Sequence, residues 1–293
     1  MSVDLIPAGQ RVVVGIVSDT HAGHSLGLAN PQTKLYDPIF GELYHPALNL
    51  PQRRLWEWYE QDVAGVLAVA GSDPLVVAHL GDPTQGNRWA GELMDARMSS
   101  QIEIAAANME PWRGAKNLRA IRMVAGTGVH EFGEGSSARM TARILKEQAP
   151  ELDVDSSYHP MLKAGGAELD LAHHGPHPGS RAWLKGNILR LYTLSIMQAA
   201  LENGENPPAF VGRGHYHSYT YEVVTKRARG QTFQTHGMIL PCYCFPGEHA
   251  RKAAQSPSHV TLGMVALEIV GGRIQRCIEF MRTVDFRTRE VIQ

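Results

Sequence analysis

Cysteine is scarce in this chain: Cys242, Cys244 and Cys277 are the only three in 293 residues. The count is odd, and Cys-Tyr-Cys lacks the spacing of a CxxC redox or zinc-binding pair. A disulfide-stapled secreted scaffold is therefore excluded, and a reducing compartment is the default. An excess of charge of one sign is also missing. There are 28 Lys+Arg against 29 Asp+Glu, for a formal net charge of -1. That balance argues against a basic domain built to coat nucleic acid. No apolar run approaches the ~20 residues that span a bilayer, so no membrane contact is expected. The first ten residues lack a basic stretch and carry Asp4, so no signal peptide is expected and a cytoplasmic location is. There is no internal repeat, low-complexity segment or linker-like break, which predicts a single domain over residues 1–293. Apolar residues make up 43% and charged residues 19%, an ordinary globular composition. Histidine stands out, with 14 residues.

Short β-branched runs at 12–17 (VVVGIV) and 75–80 (LVVAHL) read as buried strands. Further strands are predicted at 118–125, 167–172, 210–211, 232–239, 260–270 and 273–280. Helical spacing marks 51–70, 87–109, 136–148 and 181–203. A long irregular stretch between His24 and Leu50 carries Tyr36, Phe40 and Tyr44; loops of that length in a compact domain are commonly functional. Helices and strands alternate and then give way to strands. That order predicts an α/β fold with antiparallel additions at the C-terminus.

The ends of the predicted strands carry the chemistry. Asp19-Thr20-His21 follows the first, Gly81-Asp82 the second, and Gly126-Thr127-Gly128-Val129-His130-Glu131 the third. His173-His174 follows the fourth and Gly214-His215-Tyr216-His217 the fifth. In open α/β sheets the carboxyl ends of the strands line the ligand crevice. D-x-H and H-x-H each place two side chains on one side of an extended segment, because the strand period is two. Carboxylates and imidazoles without thiolates suit zinc, iron or manganese rather than a structural zinc site. Any one of these short motifs is weak; their joint occurrence, each closing an apolar run, is not.

In that order the motifs resemble the signature of the calcineurin-like metallophosphoesterases, D-x-H, G-D, G-N-H-[DE], H, G-H-x-H, over residues 11 to 217. The resemblance implies a four-layer α/β/β/α sandwich with a dinuclear metal site at the strand C-terminal ends. Asp19, His21, Asp82 and His217 would hold one ion. Asp82 would bridge to the second, which His173 and His215 would also hold. His130 would be the catalytic histidine on the leaving-group side, with Glu131 orienting it. His174 fits the position behind the ligand His173. The cofactors implied are two divalent transition-metal ions, manganese first, with iron, zinc or nickel as alternatives.

One position departs from the family. Its Asn ligand directly precedes the catalytic histidine, where this chain has Val129, which cannot ligate. Thr127 follows the glycine instead, and its hydroxyl is expected to touch phosphate or a bound water rather than the metal. The G-T-x-x-H form is similar to that of bacteriophage and prophage branches of the family. The implied activity is hydrolysis of a phosphate ester, a phosphodiester before a monoester, by a hydroxide bridging the two metals. The substrate would be a phosphate ester, with a nucleotide or nucleic acid among the candidates. A nuclease for single-stranded or short nucleic acid and a catalytically reduced binding scaffold are the alternatives. A metallo-β-lactamase would need an early H-x-H-x-D-H; here the H-x-H comes late and without the D-H.

Overall fold

The computed structural model describes residues 6–133, 135–179, 184–253 and 258–291. In chain order the first half runs β1 (Val12–Val17), β2 (Leu35–Asp37), β3 (Glu42–Tyr44), α1 (Leu50–Ala70), β4 (Leu75–His79), α2 (Met98–Asn108), α3 (Glu110–Arg113), β5 (Leu118–Val124) and α4 (Ser136–Gln148). The second half runs β6 (Asp153–Ser157), β7 (Met161–Ala164), β8 (Ala167–Ala172), α5 (Asn187–Glu202), β9 (Phe210–Arg213), β10 (Thr220–Ala228), β11 (Gln231–Ile239), α6 (Glu248–Ala253), β12 (His259–Val270) and β13 (Arg273–Asp285).

Two sheets carry the molecule. One has the order β13-β12-β1-β4-β5-β6 and the other β10-β11-β9-β8-β7. The alternation in VVVGIV explains how they stack. Val12, Val14 and Ile16 point between the sheets, where they meet Leu169, Leu171 and Phe210 of the second sheet. Val13 and Val17 point the other way, into a layer with Leu55, Tyr59, Val63 and Val66 of α1. Each face is buried, so the strand needs no polar side, as expected of a central strand covered by layers on both faces. Gly15 lies on the helix side because a Cβ there would meet the Trp112 ring at 3.0 Å. Helix α5 covers β10 and β11 on the outer face of the second sheet. The result is the α/β/β/α sandwich that the resemblance implies.

Register aligns the strand ends. β1, β4 and β5 are parallel, with Val17 opposite His79 and His79 opposite Met123. β8 and β9 are parallel, with Ala172 opposite Arg213. The segments bearing Asp19, Asp82 and Thr127 therefore leave one edge together, as do those bearing His173 and His215.

Several elements differ from the sequence expectation. The helix expected over 87–109 begins only at Met98. The residues before it form a loop held by the buried Gln101 side chain, which accepts from the Gln85 and Gly86 amides at 3.1 and 2.9 Å. The helix expected from 181 starts at Asn187, with residues 180–183 outside the described ones. Strands β6, β7 and β10 were not expected. The loop before α1 contains a β2–β3 hairpin. Helix α1 itself starts at a capping box: Asn49 accepts from the Gln52 amide at 2.9 Å, and the Gln52 side chain accepts from the Asn49 amide at 3.2 Å.

Candidate metal centre

Seven non-glycine residues among those described have positive φ, and five are Asp19, His21, Asp82, His215 and His217, at 46° to 75°. A left-handed conformation costs an L-residue on the order of 1–2 kcal/mol. Such strain concentrates where function over-determines the backbone. Here it falls on residues whose donor atoms converge. Glycines make the approach possible. A Cβ on Gly126 would lie 2.1 Å from Asp82 Oδ1, and one on Gly81, itself at φ +91°, would lie 2.4 Å from His173 Nδ1.

The donors converge in overlapping groups: Asp19, His21 and His217; His21, Asp82 and His130; Asp19, Asp82 and His173; and His173, His174 and His215. Asp82 belongs to two of these. Its Oδ1 accepts from the Thr127 amide at 2.6 Å, and its Oδ2 lies 3.0 Å from His173 Nε2 and 4.0 Å from His130 Nε2. Asp19 Oδ1 is 3.1 Å from His217 Nε2, while Oδ2 accepts from the Ser18 hydroxyl at 2.5 Å and the His215 amide at 3.1 Å. His173 Nδ1 donates to the Leu80 carbonyl at 2.7 Å, which leaves Nε2 to face the cluster. His21 Nε2 and His217 Nε2 face each other at 3.1 Å, so either a proton or a cation lies between them. His21 Nδ1 is buried with no partner among the described residues.

The electrostatics suit a cation. Asp19 and Asp82 are buried, and desolvation alone would raise their pKa values. Neighbouring imidazoles, His217 for Asp19 and His173 for Asp82, outweigh it and hold both carboxyls below the ordinary range. Burial works against a proton on His173, yet Asp82 and Asp19 push it up to about 9. His215 goes the other way, down to about 4, through burial and the nearby His173. Two buried carboxylates and several imidazoles, with thiolates outside the set, fit hard-to-borderline divalent ions. Asp19, His21, Asp82 and His217 could hold one, and Asp82, His173 and His215 another.

The remaining site candidates sort by contact. His130 Nδ1 donates to the Gln85 carbonyl at 2.6 Å, and Trp89 flanks the ring at 5.5 Å between centroids. Glu131 does not orient His130. Its carboxylate accepts from the Gly126 amide at 2.7 Å, the Ser137 hydroxyl at 2.6 Å and the Ala138 amide at 2.9 Å. It thus ties the end of β5 to the start of α4, and its burial pushes its pKa up. His174 is exposed, with its ring 4.8 Å from that of His215. Thr127 faces the cluster rather than solvent, as described below.

Other candidates have structural employment. His24 Nε2 meets Glu92 at 3.3 Å, His45 the Thr33 carbonyl at 2.9 Å, and the buried His79 the Thr20 hydroxyl at 2.9 Å. Tyr44 stacks under the Arg97 guanidinium at the hairpin base, whereas Tyr36 and Phe40 are exposed. Lys226 and Arg229 reach Gln198 and the Gly204 carbonyl, tying β10 to the region of α5. The sequence did not mark Trp89 or the Gln85 carbonyl, because both depend on the path of the loop after Asp82.

No protein-family model matches the sequence, and no curated protein matches it. Among solved structures the chain is similar to a conserved uncharacterised Streptococcus pneumoniae protein titled a predicted phosphoesterase, at 10% identity and TM-score 0.32, over 93% of this chain and 98% of that one. It is similar to the sulfate thiohydrolase SoxB of Thermus thermophilus at 11% identity and TM-score 0.37, over 97% of this chain but 58% of that one. It is similar to zinc-complexed Vps29 of Entamoeba histolytica at 14% identity and TM-score 0.27, over 94% and 99%. At these TM-scores the likeness carries no weight for the chemistry, which the geometry of the site must supply. No helix among the described residues is long and apolar enough to cross a membrane.

Proposed function

We propose that this protein is a metal-dependent phosphoesterase, a phosphodiesterase before a monoesterase, using two divalent ions with manganese first among them. The observation that carries this is the Asp82 carboxylate, which groups with His21 on one side and with Asp19 and His173 on the other, while its Oδ1 is held by the Thr127 amide. Two ions so placed would stabilise charge on the phosphoryl oxygens and lower the pKa of a bound water toward about 7.

The chain's own residues supply the rest. Asp19 and Asp82 keep their charge under burial and so hold cations in place. The bond from His130 Nδ1–H to Gln85 leaves Nε2 toward the cluster, where it can meet the oxygen that departs from phosphorus. His21 and Trp89 flank that ring at 4.7 and 5.5 Å between centroids and restrict its rotation. Five left-handed residues gathered at one site fit a retained metal centre rather than a fold that has lost its ligands. The three free cysteines suit a reducing, cytoplasmic setting.

The test is a screen with Mn²⁺ on a bis-aryl phosphodiester, an aryl phosphomonoester and single-stranded DNA. Faster turnover of the diester is expected. Hydrolysis of none of the three, by protein shown to contain metal, would overturn the assignment.

A further inference from the structure

We propose that the Thr127 hydroxyl is itself a donor to the ion held by Asp82, His173 and His215, in place of the amide ligand that Val129 cannot provide. This rests on the metal reading above and extends it to a residue expected to stay outside the coordination sphere.

The distances carry the inference. Thr127 Oγ1 lies 3.3 Å from Asp82 Oδ2, 3.2 Å from His173 Nε2 and 3.1 Å from His215 Nδ1. Asp82 Oδ2 and His173 Nε2 are 3.0 Å apart. Donors on adjacent corners of an octahedron with bonds of about 2.1 Å are separated by roughly 3.0 Å. The hydroxyl thus sits at the spacing of a neighbouring ligand on three edges at once.

The contacts that protons can satisfy in the metal-free chain also fit one divalent ion. A hydroxyl has one proton and two lone pairs. The proton can go to Asp82 Oδ2. The lone pairs then face His173 Nε2 and His215 Nδ1. His173 donates its Nδ1 proton to Leu80, so a cation that takes the place of the Nε2 proton would meet a lone pair aimed at the same spot as the Thr127 oxygen. Facing lone pairs repel unless a proton or a cation lies among them. One divalent ion resolves all of these contacts together.

The backbone is built to hold the hydroxyl there. The Thr127 amide donates to Asp82 Oδ1, and the Thr127 carbonyl accepts from the His130 and Glu131 amides at 2.8 and 3.1 Å. Glu131 then fastens the turn to Gly126. The two residues between Thr127 and His130 form this turn, so the hydroxyl reaches the cluster although His130 lies three positions on.

The test is a Co²⁺ titration of metal-stripped protein, read by visible absorption and by elemental count after gel filtration. Wild-type chain should take up two ions, one more tightly than the other. Thr127→Val, nearly the same shape without the hydroxyl, should weaken the second step at least about 10–100-fold, since losing even a group that only orders a metal's ligands costs that much. Thr127→Ser should keep both steps. Thr127→Ala serves as the hydroxyl-free variant should valine fail to fold. Two unchanged steps in the hydroxyl-free variant would overturn the role of Thr127 while leaving the two-ion reading intact. Wild-type uptake of fewer than two ions would overturn that reading and this assignment together.

Discussion

Replacing His130 with alanine should separate proton delivery from metal binding. The ring is held on three sides, by the Gln85 carbonyl at 2.6 Å, by His21 edge-on at 4.7 Å and by Trp89 at 5.5 Å. Its Nε2 stands 4.0 Å from Asp82 Oδ2, close enough to serve the leaving oxygen yet longer than any of the ligand spacings above. A positioned acid contributes about 10²–10⁴-fold, which is roughly 2.7–5.4 kcal/mol of barrier. The loss should depend on the leaving group. An alkoxide needs a proton or its equivalent, whereas p-nitrophenolate hardly does. In His130→Ala, kcat/KM for an alkyl phosphate ester should therefore fall by about 10²-fold or more. The value for bis(p-nitrophenyl) phosphate should change far less, and metal content should stay at two ions per chain. Equal losses on both substrates would refute the acid role. Loss of metal would make His130 a ligand, which its grouping with His21 and Asp82 permits.

Asp82→Asn should lower both metal content, by elemental analysis, and turnover, since one carboxylate faces donors of both groups; unchanged values would remove Asp82 from the centre. Asp170→Ala should leave the buried Arg213 guanidinium without its 2.8 Å carboxylate partner. The expected cost is about 3–5 kcal/mol in urea unfolding, and a loss under about 1 kcal/mol would contradict it. Burial raises the Glu131 pKa above its ordinary 4.5. Between those two values the folded chain holds a proton that the unfolded chain has released, so this contribution to stability is full below the lower value and is lost as pH rises through the higher. Glu131→Gln should flatten the stability difference across that window, measured by denaturant midpoints at a series of pH values.

The parts legible in the sequence are those fixed by burial on both sides. VVVGIV and LVVAHL declare themselves because neither face meets water, and the ligand motifs follow directly from their ends. β10 was missed because only Thr220 and Val224 of Thr220–Ala228 are buried, and the Lys226-Arg227 end reads as a basic patch. β6, with the sequence DVDSS, is a polar edge strand without an apolar run. The site was legible to the level of which residues meet, since that follows from strand register. Finer roles were not. Whether Glu131 reaches His130 or α4, and whether Thr127 faces solvent or Asp82, depends on the turn after β5 and on hydrogen bonds between segments distant in sequence.

Hydrolysis of bis(p-nitrophenyl) phosphate by chelator-stripped protein, followed as Mn²⁺ is added back, tests the central claim most directly. The two-ion centre predicts no turnover in the stripped chain and a rise that levels off near two ions per chain. Full turnover in thoroughly stripped protein would contradict it.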